Sequence, residues 1–557
     1  MALSRRPLPL PEENPSYPGF HPSVTEPPAG HKRRENSRPL HQPMVFERDH
    51  ALRLRDEIMI YADIYRPTDN IPVPAIMVWG PYRKSGGGLL DLRTFPLRVG
   101  VSEERLSGYL EFRRLDPPTN FMGRPDPAEW IPRGYAVVNV DARGAMDSEG
   151  DMRFWGSGDG QDGYDAIEEI AKLPWCNGKV ALVGNSWLAI SQWSIAAERP
   201  HVWRYMFGGF ADGLAGPGRL EGILAMREES ALTNEYWEDK RARLDQIPVP
   251  AYILASYSAA LHTSGSFRGY EAIPHDKKWL VIHGTQEWYD LYSFERIQEL
   301  QSFFGRYTKD LPNGWETTPR IRATVLPFNR PAITNIPFEE LSWPHREMIL
   351  KRFYLGSEHS LLEEKPKEAG QIAYEANATP ILQRGSDPGE ISSSFRLLER
   401  AVLLGPSRAV VHIMSRQNDM NVYVKLRKAG RSGRLLQNLN IPLHDQGVTS
   451  ANEVPLIVPL KYFGPQENLR ASFRDVAEEW LGEPMRLEID IWPTHGYHVR
   501  AWRTTNHEGF GAFHESVDFE DLQGTFRVSN TGPHTIFWEG QFESYLGAPP
   551  VDLPGAV

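Results

Sequence analysis

The stretch Leu182-Val183-Gly184-Asn185-Ser186-Trp187-Leu188-Ala189 carries the clearest chemistry in the chain. An apolar run ends in Gly-x-Ser, and a helical pattern follows. A serine hydroxyl exposed on a sharp strand-to-helix turn can act as a nucleophile. Small neighbours let the backbone turn tightly, and the helix N-terminus favours negative charge. The second glycine usual two residues after such a serine is absent; Leu188 stands there and the small Ala189 follows. A bare Gly-x-Ser also suits a buried serine, so the nucleophile reading rests on the flanking strand and helix.

Those flanking elements belong to a regular pattern. Met59 to Tyr65 alternates and reads as a strand. Pro74 to Trp79, Tyr135 to Val140, Lys179 to Gly184, Ala251 to Ala255 and Trp279 to His283 are short apolar runs, as in strands covered on both faces. Helical stretches such as Gly163 to Lys172 and Leu188 to Glu198 lie between them. Alternating β and α elements predict a mostly parallel sheet with helices on both faces. Residues 211–246 break the rhythm and read as a helical cap inserted over the sheet. From 319 to 557, short alternating segments such as Ala409 to Met414, Asn421 to Leu426 and Met485 to Ile491 predict an all-β sandwich or jelly roll. The expected division is an arm (1–45), an α/β domain (46–210 and 247–318) split by the cap, and the β-domain.

Composition bounds the partners. The chain has 557 residues, a net charge of −11, 40% hydrophobic and 24% charged residues, as in a soluble globular protein. The acidic balance argues against nucleic acid and anionic membranes. One cysteine, Cys176, excludes an internal disulfide and a cysteine-rich zinc site. No signal-peptide core or membrane-length apolar run is present, so the expected location is cytoplasmic. The Pro-rich arm carries His31-Lys32-Arg33-Arg34 and reads as extended or disordered, with a solvated basic cluster. It could dock on a neighbouring subunit of a homo-oligomer. The 16 Trp, 21 Tyr and 24 Phe are enough to fill a core and still wall an apolar pocket. Gly86-Gly87-Gly88 follows no suitable strand for a dinucleotide fingerprint, and His495 and His498 read as surface or structural. No cofactor or metal is implied.

Several ordered motifs carry a resemblance. They are Val140-Asp141-Ala142-Arg143-Gly144, Ser148-Glu149-Gly150, Asp162-Gly163-Tyr164-Asp165-Ala166-Ile167-Glu168, Leu173-Pro174-Trp175-Cys176-Asn177-Gly178-Lys179-Val180 and Gly184-Asn185-Ser186-Trp187. In this order they resemble the cocaine-esterase / X-prolyl dipeptidyl-peptidase (CocE/NonD) family of serine hydrolases. The likeness runs from about Phe46 to the C-terminus and includes Asn418 to Lys428, Ile491 to Thr494 and Phe542 to Leu546. It implies an α/β-hydrolase domain, a helical cap and a C-terminal jelly roll. It makes Ser186 the nucleophile. Tyr82, in Gly80-Pro81-Tyr82-Arg83-Lys84, then supplies an oxyanion-hole hydroxyl, and the Trp187 backbone N–H the second donor.

The sequence departs from the family at the acid and the base. Where the family has an Asp, after the Ala251–Ala255 strand, Ser258 or Ala259 stands. Where it has a His, after the next strand, His283 is the best candidate; another gapping puts Glu287 there. His262 is an alternative base, and Glu287 and Asp290 are possible substitute acids. An acid orients the imidazole and stabilises its cation, so its loss costs rate. Three functions therefore stay open. One is a serine hydrolase acting on an ester or amide of a small, largely apolar substrate. The second is a hydrolase-fold enzyme running a cyclisation, elimination, C–C cleavage or acyl transfer with a degenerate triad. The third is an inactive binding or scaffold protein, against which the retained Ser186 and Tyr82 argue.

Overall fold

The structure is a computed structural model that describes residues 5–13, 17, 19–33, 35, 37–85, 124–185, 187–198, 215–222, 225–226, 229, 234–258, 262–328, 331–338, 343, 349–376, 390–397, 402–416, 420–430, 435–454, 460–470, 482–495, 502–505, 532–538 and 540–551. Ser186, Ala259, the triglycine Gly86–Gly88 and His498 lie outside the described residues.

The arm begins with β1 (Arg5–Pro7) and β2 (Ser23–Thr25). Next come β3 (Met44–Arg53), β4 (Met59–Pro67), β5 (Val73–Gly80), β6 (Ala136–Asp141) and β7 (Cys176–Leu182). They form one sheet in the order β2-β3-β4-β6-β5-β7. β5 runs parallel to both β6 and β7, and the strands before it pair antiparallel. Every residue of β5 and β6 is buried, which is why both read as continuous apolar runs. Two helices, Gly156–Ala171 and Trp187–Ala197, make the crossovers on either side of β7.

The strand β8 (Arg219–Glu221) lies in the cap region, together with a helix at Glu235–Lys240. A second group of strands follows: β9 (Ala251–Ser256), β10 (Lys278–His283), β11 (Ile321–Val325) and β12 (Ile333–Phe338), in the order β12-β11-β10-β9. One apolar core joins the two groups: Ile76, Val78, Val183 and Leu188 pack with Leu254, Trp279 and Val281. β9, β10 and β11 are parallel, so their C-terminal ends open on one edge.

β11 pairs parallel with β10, and β12 pairs with β11 antiparallel, so the sheet that β9 and β10 begin takes in strands as far as Phe338. Period-2 alternation marks a strand but does not say which sheet it joins. The arm takes the extended one of its two expected forms. β1 pairs with β8, β2 pairs with β3, and Leu8 is buried against Ala145, Met152 and Leu220.

Beyond Phe338 the chain is a β-sandwich. A long strand, Val402–Met414, pairs with Met485–His495, Pro533–Trp538 and Tyr545–Ala548. A four-stranded sheet containing Asn421–Leu426 and Gln466–Arg470 accompanies it. Val411, Ile413, Val422, Val424, Leu487 and Ile489 lie in the core these strands share.

Leu188 is fully buried, and two glycines make its room. A Cβ on Gly80 would sit 2.6 Å from Leu188 Cδ2, and one on Gly184 (φ +146) would sit 2.5 Å from Leu188 Cβ. Gly80→Ala is therefore expected to destabilise the fold. Leu188→Ala is expected to cost about 2–5 kcal/mol by leaving a cavity. The double variant Gly80→Ala/Leu188→Ala should be more stable than the sum of the two losses predicts, as read by denaturant unfolding. Strict additivity would contradict this packing.

Candidate active site

A tight turn joins β7 to the helix that follows it. Gly184 adopts a positive φ that L side chains rarely take, and the helix starting at Trp187 follows within three residues. Trp187 is buried, so its backbone N–H sits in the first turn, where helix amides lack intrahelical acceptors. Tyr82 follows the end of the neighbouring β5 and is also buried. Its ring meets Trp187 edge-on, with centroids 6.2 Å apart. The structure thus brings the side chains of Tyr82 and Trp187 into contact at the start of this helix.

Aromatic rings extend this surface. Trp155 lies 4.7 Å and Phe154 5.0 Å from Trp187, centroid to centroid. Trp155 has φ +50, a strained conformation for a bulky residue. Its neighbours are tied to the cap. Phe154 N donates to Glu221 Oε2 (2.8 Å), and Ser157 N donates to Asp239 Oδ1 (3.3 Å). Glu221 in turn accepts from Tyr236 OH (2.5 Å) and Lys240 Nζ (2.9 Å). The cap therefore holds the aromatic wall.

The expected acid slot holds no carboxylate among the described residues. Ser258 is fully buried and donates to the Thr285 carbonyl (3.0 Å), as does Ser256 (2.6 Å). The two serines clamp the loop that follows His283. Thr285 Oγ1 then lies 3.0 Å from His283 Nδ1, with Asp290 Oδ1 at 3.8 Å from the same nitrogen. Asp290 is fixed by Arg296, whose Nε donates at 2.8 Å and Nη2 at 3.3 Å. Arg296 also pairs with Glu299, which Arg322 contacts as well, and Tyr252 donates its hydroxyl into this network.

Burial pushes the His283 imidazole down to about 4; Asp290 opposes the shift and Arg296 adds to it. Burial alone would raise the Asp290 carboxyl, but Arg296 and His283 hold it below the usual carboxylate range. At neutral pH the geometry is a neutral imidazole facing an ionised carboxylate.

Glu287 is buried, and desolvation pushes its carboxyl well above the usual carboxylate range. Its Oε1 has no hydrogen-bond partner among the described residues. His262 caps the Thr263–Ala272 helix, and burial lowers it to about 3. Neither makes a described hydrogen bond to His283.

The sandwich reaches the same loop. Asn438 Nδ2 donates to the Gly284 carbonyl (3.2 Å), Gln286 N to the Asn440 carbonyl (3.0 Å), and Tyr289 OH to Asp445 (2.6 Å). Thr285, Arg296 and the serine clamp were not singled out from the sequence. Thr285 was within reach as the hydroxyl two residues past His283, whereas nothing local marks Arg296, which acts from the next helix.

Residues 56–208 match the family described as X-Pro dipeptidyl-peptidase (S15 family), and residues 313–501 match the X-Pro dipeptidyl-peptidase C-terminal non-catalytic domain. The chain belongs to this family. Its α/β-hydrolase domain with an appended β-rich domain is the family's architecture. Among similar proteins, cocaine esterase of Rhodococcus sp. (strain MB1 Bresler) is 30% identical over 145 residues, 26% of this chain and 20% of that protein. The matched stretch thus spans only a fifth of that relative's length. In solved structures, a CocE/NonD family hydrolase from Staphylococcus aureus has a TM-score of 0.74 at 21% identity, covering 99% of each chain. An alpha-amino acid ester hydrolase has a TM-score of 0.61 at 14% identity, over 97% of this chain and all of the other. At these identities the two structures speak for the fold. Among the described residues no helix is long and apolar enough to cross a membrane.

Two outcomes are expected here. Arg296→Met leaves Asp290 and Glu299 short of a buried counter-charge and should cost about 3–5 kcal/mol in denaturant unfolding. Adding Asp290→Asn should recover part of that loss. His283 has a folded value of about 4 against 6.5 for an ordinary histidine, so the unfolded chain takes up the proton first. Stability should therefore fall as pH drops from 6.5 towards 4, and His283→Gln should flatten that part of the profile.

Proposed function

We propose that the protein is a serine hydrolase that cleaves an ester of a small, largely apolar organic substrate through an acyl-enzyme on Ser186. The observation that carries the reading is the meeting of Tyr82 with Trp187 at the helix start that follows Gly184-Asn185-Ser186. Ser186 attacks the carbonyl while His283 takes its proton. Nδ1 faces Thr285 and Asp290, so Nε2 is the nitrogen left to act as base. The Tyr82 hydroxyl and the Trp187 amide stabilise the oxyanion, each donor being worth several kcal/mol in a dry site. Collapse expels the alcohol, which leaves with the proton held by His283. Water, deprotonated by His283, then releases the acid from Ser186.

Asp290 takes the role of the missing Asp. Its carboxylate stands 3.8 Å from Nδ1, and Thr285 Oγ1 stands nearer, at 3.0 Å. A carboxylate at that distance stabilises the imidazolium less than a direct hydrogen bond would, which points to modest turnover. The aromatic wall of Phe154, Trp155 and Trp187 suits an apolar acyl or alkoxy group. The names of the relatives, cocaine esterase and alpha-amino acid ester hydrolase, agree with an ester.

One observation favours a second reading. Burial pushes the Glu287 carboxyl upward and so favours its protonated form, which could donate a proton, as a non-hydrolytic elimination or cyclisation would need.

A fluorophosphonate probe is expected to label the folded protein, and Ser186→Ala to abolish labelling. The acid limb of p-nitrophenyl ester hydrolysis should lie well below pH 6.5, because His283 titrates near 4. Glu287→Gln should leave ester hydrolysis within about threefold of the parent, a change under 1 kcal/mol. Unlabelled folded protein would falsify the hydrolase reading. Lost activity in Glu287→Gln with labelling intact would favour the second.

A further inference from the structure

Tyr82 is presented by a loop whose anchor is two residues further on. Lys84 is buried, and its ammonium lies 3.1 Å from Asp49, 3.2 Å from Asp141 and 3.4 Å from Asp147. A fourth carboxyl, Asp63, is fully desolvated beside them and accepts from Asp49 N (3.1 Å). The Lys84 backbone is held as well, its carbonyl accepting from the buried Arg124 Nη1 at 3.1 Å. Tyr292 OH donates to the Arg124 carbonyl (2.9 Å), so the chain of contacts runs from the Tyr82 loop to the loop beyond His283. Between Tyr82 and Lys84 stands Arg83, with φ +72. A non-glycine residue stays there only when its surroundings dictate it.

Two carboxylates of this cage are gripped by the N-terminal arm. Tyr17 donates its hydroxyl to Asp147, and His21 N donates to Asp49 Oδ2 (2.7 Å). Arg48 reaches back to the Gly19 carbonyl (2.5 Å), and Phe20 packs edge-on against Tyr61 at 4.7 Å. Asp141, part of the Val140–Gly144 motif, is accounted for in the same way: it anchors Lys84 from the end of β6.

We propose that Lys84 is a positioning residue for Tyr82 and that the arm, through Tyr17 and His21, completes its carboxylate cage, so that the arm is part of the catalytic scaffold. The inference rests on the hydrolase reading above, with Tyr82 as an oxyanion donor. The ammonium does not touch substrate. It fixes the loop so that the Tyr82 hydroxyl points where negative charge develops. Its loss therefore weakens transition-state binding more than ground-state binding.

The test uses the full chain with p-nitrophenyl butyrate as substrate. Lys84→Met is expected to lower kcat about 10²-fold with KM within about threefold, the scale of losing one oxyanion donor. Lys84→Arg should restore at least tenfold of that loss. Tyr17→Phe, at the rim of the cage, should lower kcat severalfold with the melting temperature little changed. In a Tyr82→Phe background, Lys84→Met should cost less than about threefold more, because the group it positions is gone. Full additivity of Lys84→Met with Tyr82→Phe, or an unchanged kcat in Lys84→Met, overturns the proposal while wild-type labelling by fluorophosphonate keeps the hydrolase reading. If Lys84→Met does not fold, Tyr17→Phe decides: an unchanged kcat overturns the proposal and a kcat loss at constant KM supports it. No labelling of folded wild type overturns both.

Discussion

A charge taken out of water without a counter-charge costs several kcal/mol, and both loops that present the candidate groups are held by that penalty. Lys84 fixes the Tyr82 loop because its ammonium sits among Asp49, Asp141 and Asp147. Arg296 fixes the His283 loop because its guanidinium pairs with Asp290 and Glu299. Neither loop could relax without stranding a buried ion. That gives irregular backbone, which loses conformational entropy when ordered, the definition that strand ends have by hydrogen bonding. The two anchors are linked through Arg124 and Tyr292, so the Tyr82 loop and the His283 loop form one hydrogen-bonded frame.

Within that frame Ser258, one of the two residues at the slot where the resemblance expects an acid, has a structural role. An aspartate at this point would place a charge beside the Thr285 carbonyl. A serine instead donates to it, and with Ser256 it draws Thr285 against His283. The carboxylate nearest His283 Nδ1 among the described contacts is Asp290, at 3.8 Å and already paired with Arg296. An acid so strongly paired stabilises an imidazolium less than a lone one. The depressed His283 value and the Asp290–Arg296 pair therefore have one origin: a buried site in which the second cation is already present.

Much of this was legible in the sequence, for identifiable reasons. The parallel strands show as apolar runs because both faces are covered, and Pro74–Trp79 falls inside β5 for that reason. The Gly184 turn shows because only a small residue tolerates its backbone beside Leu188. The sheet that Ile321–Val325 joins did not show, since this run reads the same whether it pairs with β10 or with a strand of the sandwich. Nor did the docking of the Pro-rich arm, whose partners, Asp49, Asp147 and Glu221's strand, are distant in sequence. Candidate base and acid were visible as residue types. The contacts that set His283 and Asp290 apart from His262 and Glu287, those with Thr285 and Arg296, arise only on folding.

The sandwich then acquires a reason to be where it is. Loops that end on a buried histidine carry backbone groups that must find partners. Here Asn438 and Asn440 supply two of them, to Gly284 and Gln286, and Asp445 takes the Tyr289 hydroxyl. The apolar patch of Ile441, Val454 and Leu460 under Tyr289 closes the seam. The β-domain therefore completes the hydrogen bonding of the loop that follows His283, as the cap holds Phe154 and the arm holds the Lys84 cage. Three segments outside the central sheet each secure one wall of the site. That arrangement lets the sheet stay an ordinary parallel core while the chemistry is set at its C-terminal edge.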